Sequence, residues 1–363
     1  MAANTPIVRW GIVATGKISG WFVEDLMLSD WPGKSANHII ECIGSSSLDK
    51  CERFAQEYVT QKPKPTLYGS YQEVYGDKEV DCVYIGTPHS FHKQNCLDAI
   101  KARKNVLCEK PFTMNSAEAE EVFAAAKAKG VFVMEAVWTR FFPAVKTLQK
   151  MLHEEQKIGR IIRMYCDFGL DIDIANLPES SRYKDPALGA GSLLDIGIYS
   201  LTWGLLTLAG NVGDKAEDPE VASTQTLSDG VDTSSSVVLK YPSTGRQGIC
   251  TSTTDFNSGG DSFARIEGSK GYIVVHGTTA ASPQRFDFYP KDSDAKVEHF
   301  KFEKPGRGFF WEADAVAHDL KAGRLENETM PWAETLRMMM IMDGVRKRSG
   351  ARFPVDDCRF LEK

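Results

Sequence analysis

The chain has no Cys-x-x-Cys pair and no Cys/His cluster at zinc spacing, although it holds eight cysteines. That absence argues against a zinc site, and no metal is expected. The cysteines stand apart at positions 42, 51, 82, 96, 108, 166, 250 and 358. Cys42, Cys82 and Cys108 fall in apolar runs, where cysteine behaves as a small hydrophobe, in keeping with a reducing cytosol. Cys108 is assigned to packing rather than to reactivity. Positive charge is not in excess: 43 Lys and Arg against 49 Asp and Glu leave −6. General affinity for nucleic acid or anionic membrane is not expected, while a local basic pocket for a phosphate stays open. No apolar run approaches the roughly 20 residues of a membrane span. Met1 to Pro6 is short and polar, without the charged and apolar regions of a signal peptide. Internal repeats and low-complexity segments are missing too. A cytoplasmic globular chain long enough for two domains is the expectation.

What is present is alternation. Apolar strand-length runs at Val8–Val13, His38–Ser45, Asp81–Gly86, Asn105–Cys108 and Val131–Ala136 are separated by helical periodicity at Ile18–Leu28, Leu48–Tyr58, His92–Ala102 and Ala117–Lys129. Strands alternating with helices imply right-handed crossovers and a parallel α/β sheet covered on both faces. After about Phe142 the pattern changes. Helices at Ala144–Glu154 and Ser192–Leu208 surround a strand at Ile161–Leu170, and short segments between Val221 and Phe302 read as a largely antiparallel sheet. Two more helices, Trp311–Ala322 and Trp332–Ser349, close the chain. The expected organisation is residues 1–142 as a dinucleotide-binding Rossmann domain and 143–363 as a C-terminal α+β domain.

The first strand enters Ala14-Thr15-Gly16-Lys17-Ile18-Ser19. Against Gly-x-Gly-x-x-Gly only the middle glycine survives, the one that lets backbone approach a pyrophosphate at a helix N-terminus. The second strand ends in Ser45-Ser46-Ser47, with Lys50 and Arg53 beyond. Hydroxyls and cations there suit a ribose 2′-phosphate, so NADP is expected over NAD. Helix capping is the other use for such serines. Thr87, Pro88 and His89 follow the fourth core strand and are expected to line the cofactor; His92 is read as structural. Trp138 and Arg140 are expected to end the next strand and face the same cleft, as cofactor or substrate contacts or as a packed cluster.

Cys108-Glu109-Lys110-Pro111-Phe112 follows the fifth strand, where Glu109 and Lys110 reach a bound cofactor and Lys110 reaches a substrate hydroxyl. Asp195 and Tyr199 stand four apart in a predicted helix, on one side of it. A phenol near pKa 10 needs a neighbouring cation to accept a proton at neutral pH. Lys110, Asp195 and Tyr199 are therefore the candidate proton-transfer set, with Lys110 and Tyr199 both open as immediate acceptor. Phe168 and Trp138 are candidates to shape the substrate pocket. Arg182 and Tyr183 lie in the polar loop before the Asp195 helix.

Ala14–Ile18, Cys108–Pro111 and Gly191-Ser192-Leu193-Leu194-Asp195-Ile196-Gly197-Ile198-Tyr199 stand in an order that resembles the Gfo/Idh/MocA oxidoreductase family across nearly the whole chain. Met134–Pro143 is similar to the branch of dimeric dihydrodiol dehydrogenases and fungal NADP-dependent D-xylose 1-dehydrogenases, and Phe310–Asp314 leans toward the fungal side. The resemblance implies an N-terminal Rossmann domain and an open-faced C-terminal sheet that often forms a homodimer interface. It assigns roles at Lys110, Asp195 and Tyr199, where many relatives have histidine in place of Tyr199. It implies hydride transfer from a cyclic sugar or polyol, foremost C1 of an aldopyranose such as D-xylose. The alternatives are trans-dihydrodiol oxidation or dicarbonyl reduction, or a non-catalytic binding module of the same fold.

Overall fold

Short runs rich in Val, Ile and Cys can bury both faces of a strand, and amphipathic helices between them supply the cover. In the computed structural model, which describes residues 5–258 and 260–356, this produces a parallel sheet. Met1 to Asn4 of the N-terminal stretch, and Cys358, lie outside the described residues. The strands are β1 (Ile7–Val13), β2 (Asn37–Gly44), β3 (Thr66–Tyr68), β4 (Cys82–Ile85), β5 (Asn105–Glu109) and β6 (Val133–Ala136), ordered β3-β2-β1-β4-β5-β6. All their pairings are parallel, and β4 and β6 are buried at every position. The helices are α1 (Lys17–Leu26), α2 (Leu48–Tyr58), α3 (Tyr71–Gly76), α4 (His92–Lys101) and α5 (Ser116–Lys129). β3 and α3 escape sequence reading because three and six residues are too short to show a period. Strand order reverses between β1 and β4, so the loops leaving these strands flank the crevice where such sheets bind ligands.

The second sheet contains β7 (Ile161–Gly169), β8 (Glu220–Ser228), β9 (Val231–Lys240), β10 (Gln247–Thr253), β11 (Ser262–Gly268), β12 (Gly271–Gly277), β13 (Pro283–Pro290) and β14 (Glu298–Lys301). Its order is β14-β13-β12-β11-β7-β10-β9-β8, antiparallel except for β7 with β10. Helix α6 (Pro143–Gln149) runs into a π turn at Lys150–Glu154, and α7 (Ile198–Leu208) is preceded by a π turn at Leu193–Gly197. The expected helix at 192–208 is thus one π turn joined to an α-helix. Contrary to the expectation of no span-length apolar segment, Pro186–Leu208 is long and apolar enough to cross a membrane, with mean hydropathy 1.2. Its most apolar stretch is 94 % buried inside the fold, as a core helix would be.

One face of the second sheet buries Met164, Cys166, Cys250 and Ile266. On the other, Val238, Ile249, Tyr165, Arg265 and Val274 are cross-strand neighbours in one row over five strands.

A single boundary after residue 142 does not describe the units. The first comprises the chain through Thr113, Ala117–Phe141 and also Lys304–Trp332; the second comprises Met114–Ser116, Phe142–Glu303 and the chain from Ala333. The return of 304–332 has a polar cause. Helix α8 (Phe309–Lys321) begins with orphan backbone donors. The Asp25 carboxylate of α1 accepts from the N–H groups of Arg307, Gly308 and Phe309 at 2.6–3.1 Å. Asp314, further along α8, accepts from Trp31 Nε1 at 3.1 Å and Ser35 N at 3.0 Å. The final helix is α9 (Trp332–Ser349).

Candidate active site

The turn after β1 is held in the geometry of a phosphate loop despite its missing glycines. Ala14 has φ +79°, the left-handed conformation the first glycine of the fingerprint normally supplies. Its N–H donates to the Gly44 carbonyl at 3.0 Å, which fixes the turn. Gly16 is exposed at the N-cap of α1, and a Cβ there would meet nothing closer than 3.8 Å. Packing does not demand this glycine; it keeps the approach to the α1 N-terminus bare, which suits a pyrophosphate. Ser19 replaces the third glycine and is fully buried. The close packing is provided instead by Gly86 after β4, where an added Cβ would fall 2.2 Å from Ser19 Oγ.

A cleft of about 420 Å³ opens beside this turn, lined by Thr15, Gly16, Lys17, Lys50, Arg53 and Glu57 among others. Thr15 and Ser45 share a hydroxyl hydrogen bond of 2.9 Å, and Lys50 Nζ donates to Ser46 Oγ at 2.8 Å. Ser47 occupies the N-cap of α2, yet its hydroxyl makes no capping bond. Three cations against the one carboxylate of Glu57, with bare backbone at Gly16 and nearby hydroxyls, make a set that fits the phosphates of a nicotinamide dinucleotide. Ile18 is the second residue of α1, after Lys17, and is half-buried. Glu41 lies mid-strand, and its charged neighbours are Asp77, Arg9, Glu79 and Asp81.

The loops after β4 and β5 are tied together. His92, at the start of α4, has Nε2 2.8 Å from the Thr87 carbonyl and Nδ1 2.9 Å from the Pro111 carbonyl. Burial pushes its pKa down to about 4, although the carbonyls favour the protonated ring. Its role is structural, as a brace between two loops. Thr87 is buried and its hydroxyl accepts from Asn95 Nδ2 at 3.2 Å; Pro88 is exposed, and His89 is buried. Glu109 is turned inward: Tyr84 donates to its Oε1 at 2.7 Å, and the Lys110 N–H to its Oε2 at 3.2 Å. Burial raises its pKa to about 7, against the pull of Tyr84 and Lys110. Lys110 itself is half-buried and joined to Pro111 by a cis peptide bond. Cys108 is fully buried, and loss of solvent holds its thiol well above the ordinary value.

Trp138 and Arg140 do not end a strand. β6 stops at Ala136, and both sit in a 3₁₀ turn, Trp138–Phe141. The Trp138 ring stacks on Phe309 at 4.3 Å and 7°, and Arg140 is only 1 % exposed. The packed-cluster alternative describes this pair better than an open cleft wall does.

In the second unit the π turn at Leu193–Gly197 presents Asp195, and the first turn of α7 presents Tyr199. Gly191 has φ +134°, and a Cβ there would fall 2.2 Å from Asp232 Oδ1. Asp232, at the start of β9, accepts from Ser192 Oγ and Leu193 N at 2.8 Å each and from Ser235 Oγ at 2.9 Å. This buried carboxylate fixes the corner from which the π turn starts. Asp195 receives Arg182 Nη1 at 3.0 Å, while Arg182 Nη2 donates to Tyr183 OH at 2.6 Å. Phe168 of β7 is buried with its ring 5.8 Å from that of Tyr199.

Residues 8–137 match the oxidoreductase family with an NAD-binding Rossmann fold known as GFO/IDH/MocA, and residues 145–274 match the GFO/IDH/MocA C-terminal domain. The chain belongs to the Gfo/Idh/MocA oxidoreductase family. It is 34 % identical over 375 residues to a D-xylose 1-dehydrogenase (NADP(+)) of Hypocrea jecorina, covering 98 % of this chain and 95 % of the relative. It is also 34 % identical over 364 residues to a trans-1,2-dihydrobenzene-1,2-diol dehydrogenase of Sus scrofa, covering 97 % and 99 %. The fold is shared with a 3-ketoreductase of Actinomadura kijaniata solved with NADP and TDP-benzene: TM-score 0.77 at 21 % identity, over 94 % of this chain and 98 % of that one.

As a Gfo/Idh/MocA member the chain is an oxidoreductase with a Rossmann nicotinamide-dinucleotide domain. Sequence reading missed Asp232 altogether, because an aspartate between Val231 and Thr233 carries no local mark of its partners. It placed Arg182 in the right loop without its ion pair to Asp195. The left-handed Ala14 was detectable only as the alanine in a glycine's place.

Proposed function

We propose that the chain is an NADP-dependent dehydrogenase that removes hydride from a cyclic sugar or polyol hydroxyl, foremost C1 of an aldopyranose such as D-xylose, giving the aldonolactone. The observation that carries this reading is near full-length likeness to two curated dehydrogenases of ring-borne hydroxyls. When bound, the oxidised nicotinamide supplies the hydride acceptor. Oxidation breaks the carbinol C–H bond, whose electron pair leaves as hydride, and the O–H bond, whose proton goes to Tyr199 or Lys110. Lys110 supplies positive charge that favours phenolate, and Asp195 orients and balances charge. Lys50, Arg53 and the Ser45–Ser47 hydroxyls support NADP over NAD, since a carboxylate at that strand end would repel a 2′-phosphate. Thr87, His89 and the Lys110 side chain support a nicotinamide and ribose site at the ends of β4 and β5.

Trans-dihydrodiol oxidation is the second reading, favoured by the equal 34 % identity and by Phe168 beside Tyr199. For assembly we propose a homodimer through the open face of the second sheet. Its support is the cross-strand row that includes Val238 and Ile249, 37 % and 41 % exposed.

The test follows reduced nicotinamide absorbance with NADP and NAD across D-xylose, D-glucose and a trans-dihydrodiol. Lys110→Ala and Tyr199→Phe are each expected to lower kcat by about 10²–10⁴ while NADP still binds. Silence of the unmodified protein with all three substrates, with NADP bound, overturns the D-xylose and dihydrodiol readings and favours an untested carbohydrate or a binding module.

A further inference from the structure

Resting on the dehydrogenase reading, in which Asp195 serves the proton-transfer step, we infer that Asp232 is a positioning residue of the active site: it holds Leu193–Gly197 in the register of a π turn and so sets the direction of Asp195. Such turns are rare, and appear mostly as single turns within α-helices at functional sites. Leu193 to Gly197 contains no proline that would force one, and regular α-helix follows at once in α7. The extra residue shows in the ladder, where the Ile198 N–H donates to the Leu193 carbonyl five positions back rather than four.

Both ends of the turn are seated on the sheet beneath it. At the start, Asp232 Oδ2 accepts from Ser192 Oγ, Leu193 N and Ser235 Oγ at 2.8–2.9 Å, and Ser192 Oγ lies 3.1 Å from Ser252 Oγ. Ser235 and Ser252 are paired across β9 and β10, so the anchor spans two strands. At the end, Gly197 rests on the same Ser252, where an added Cβ would fall 2.8 Å from its Oγ. All four polar side chains of this anchor are buried, whereas Asp195 is the one residue of the turn that is not. The start of the turn therefore cannot slide along α7 without breaking hydrogen bonds to a buried carboxylate. Relaxation to α-helix would take one residue out of the ladder and swing Asp195 by about 100°, the angle between successive α-helical residues. The simpler role, packing of a buried corner, affects stability and leaves the rate of folded molecules unchanged.

The test compares Asp232→Ala and Asp232→Asn with Asp195→Asn and with the double variant Asp195→Asn/Asp232→Ala. Each is assayed with NADP and the faster of D-xylose and a trans-dihydrodiol, under conditions where urea unfolding shows it folded. Asp232→Ala is expected to lower kcat by about 10²-fold, as misplacement of a catalytic group does, with the Kd for NADP unchanged. Asp232→Asn keeps an oxygen acceptor, should retain part of the rate, and is the milder variant should Asp232→Ala fail to fold. Because Asp232 acts through Asp195, the double variant is expected to be no slower than Asp195→Asn alone. A crystal structure of the folded Asp232 variant is expected to show Leu193–Gly197 relaxed to α-helix. Full kcat in folded Asp232→Ala, losses that multiply in the double variant, or a π turn retained in that crystal structure each overturn the inference. If the unmodified protein oxidises neither alcohol, the dehydrogenase reading falls, and the crystal structure still decides whether Asp232 holds the turn.

Discussion

Replacing Glu109 by Gln should remove a specific pH dependence of stability. The Glu109 carboxyl is 4 % exposed, receives Tyr84 OH at 2.7 Å and the Lys110 N–H at 3.2 Å, and has Glu312 as an acidic neighbour in α8. Desolvation outweighs these bonds and the charge of Lys110, raising the carboxyl from an ordinary 4.5 to about 7. A raised value means that the folded state holds the proton more tightly than the unfolded chain. The stabilising contribution is therefore complete below pH 4.5 and is lost as pH rises through about 7. At about 1.4 kcal/mol per pH unit, the loss amounts to about 3 kcal/mol. Glutamine keeps an acceptor for Tyr84 and does not titrate. Urea unfolding of both proteins from pH 4.5 to 8 should show the unmodified chain falling about 3 kcal/mol relative to Glu109→Gln. Parallel stability curves would refute the buried, proton-holding assignment of Glu109.

Three further outcomes are expected. Combined Lys50→Ala and Arg53→Ala should raise the KM for NADP by roughly 10–100-fold, the worth of one charge-assisted hydrogen bond to phosphate, with the KM for NAD unchanged; initial rates with each cofactor check this. Asp232→Ala should cost about 3 kcal/mol in chemical unfolding, because Ser192, Leu193 and Ser235 lose a buried ionic acceptor together. Ala14→Gly should stabilise by about 1 kcal/mol in the same assay, since φ +79° strains alanine and not glycine.

Much of the candidate site was legible because it follows strand ends. Once Val8–Val13, Asp81–Gly86 and Asn105–Cys108 are read as parallel strands, Gly16, Thr87 and Lys110 must sit on loops along one edge of the sheet. The Ser45–Lys50 run was legible for the same reason, and the cleft beside Gly16 includes Lys50 and Arg53. Trp138 and Arg140 were misread as a strand end because Val131–Ala136 continues into apolar Val137, which periodicity cannot separate from the 3₁₀ turn that follows. Glu109 looked like a cofactor ligand from its place beside Lys110. Its inward turn depends on Tyr84, 25 residues away in β4.

Composition and periodicity by themselves determined a parallel Rossmann sheet followed by a mainly antiparallel one, the nucleotide turn, and the order of Lys110, Asp195 and Tyr199 along the chain. These properties repeat every two or four residues, or sit at a fixed offset from a strand, so short windows contain them. The tertiary structure alone decided that 304–332 returns to the first unit, because Asp25 caps a helix 284 positions later. It alone decided the corner set by Asp232 forty residues from Ser192, and the pairing of Arg182 with Asp195 across a loop. Each of these joins a charge to its partner through folding, and no local pattern encodes a partner's distance along the chain.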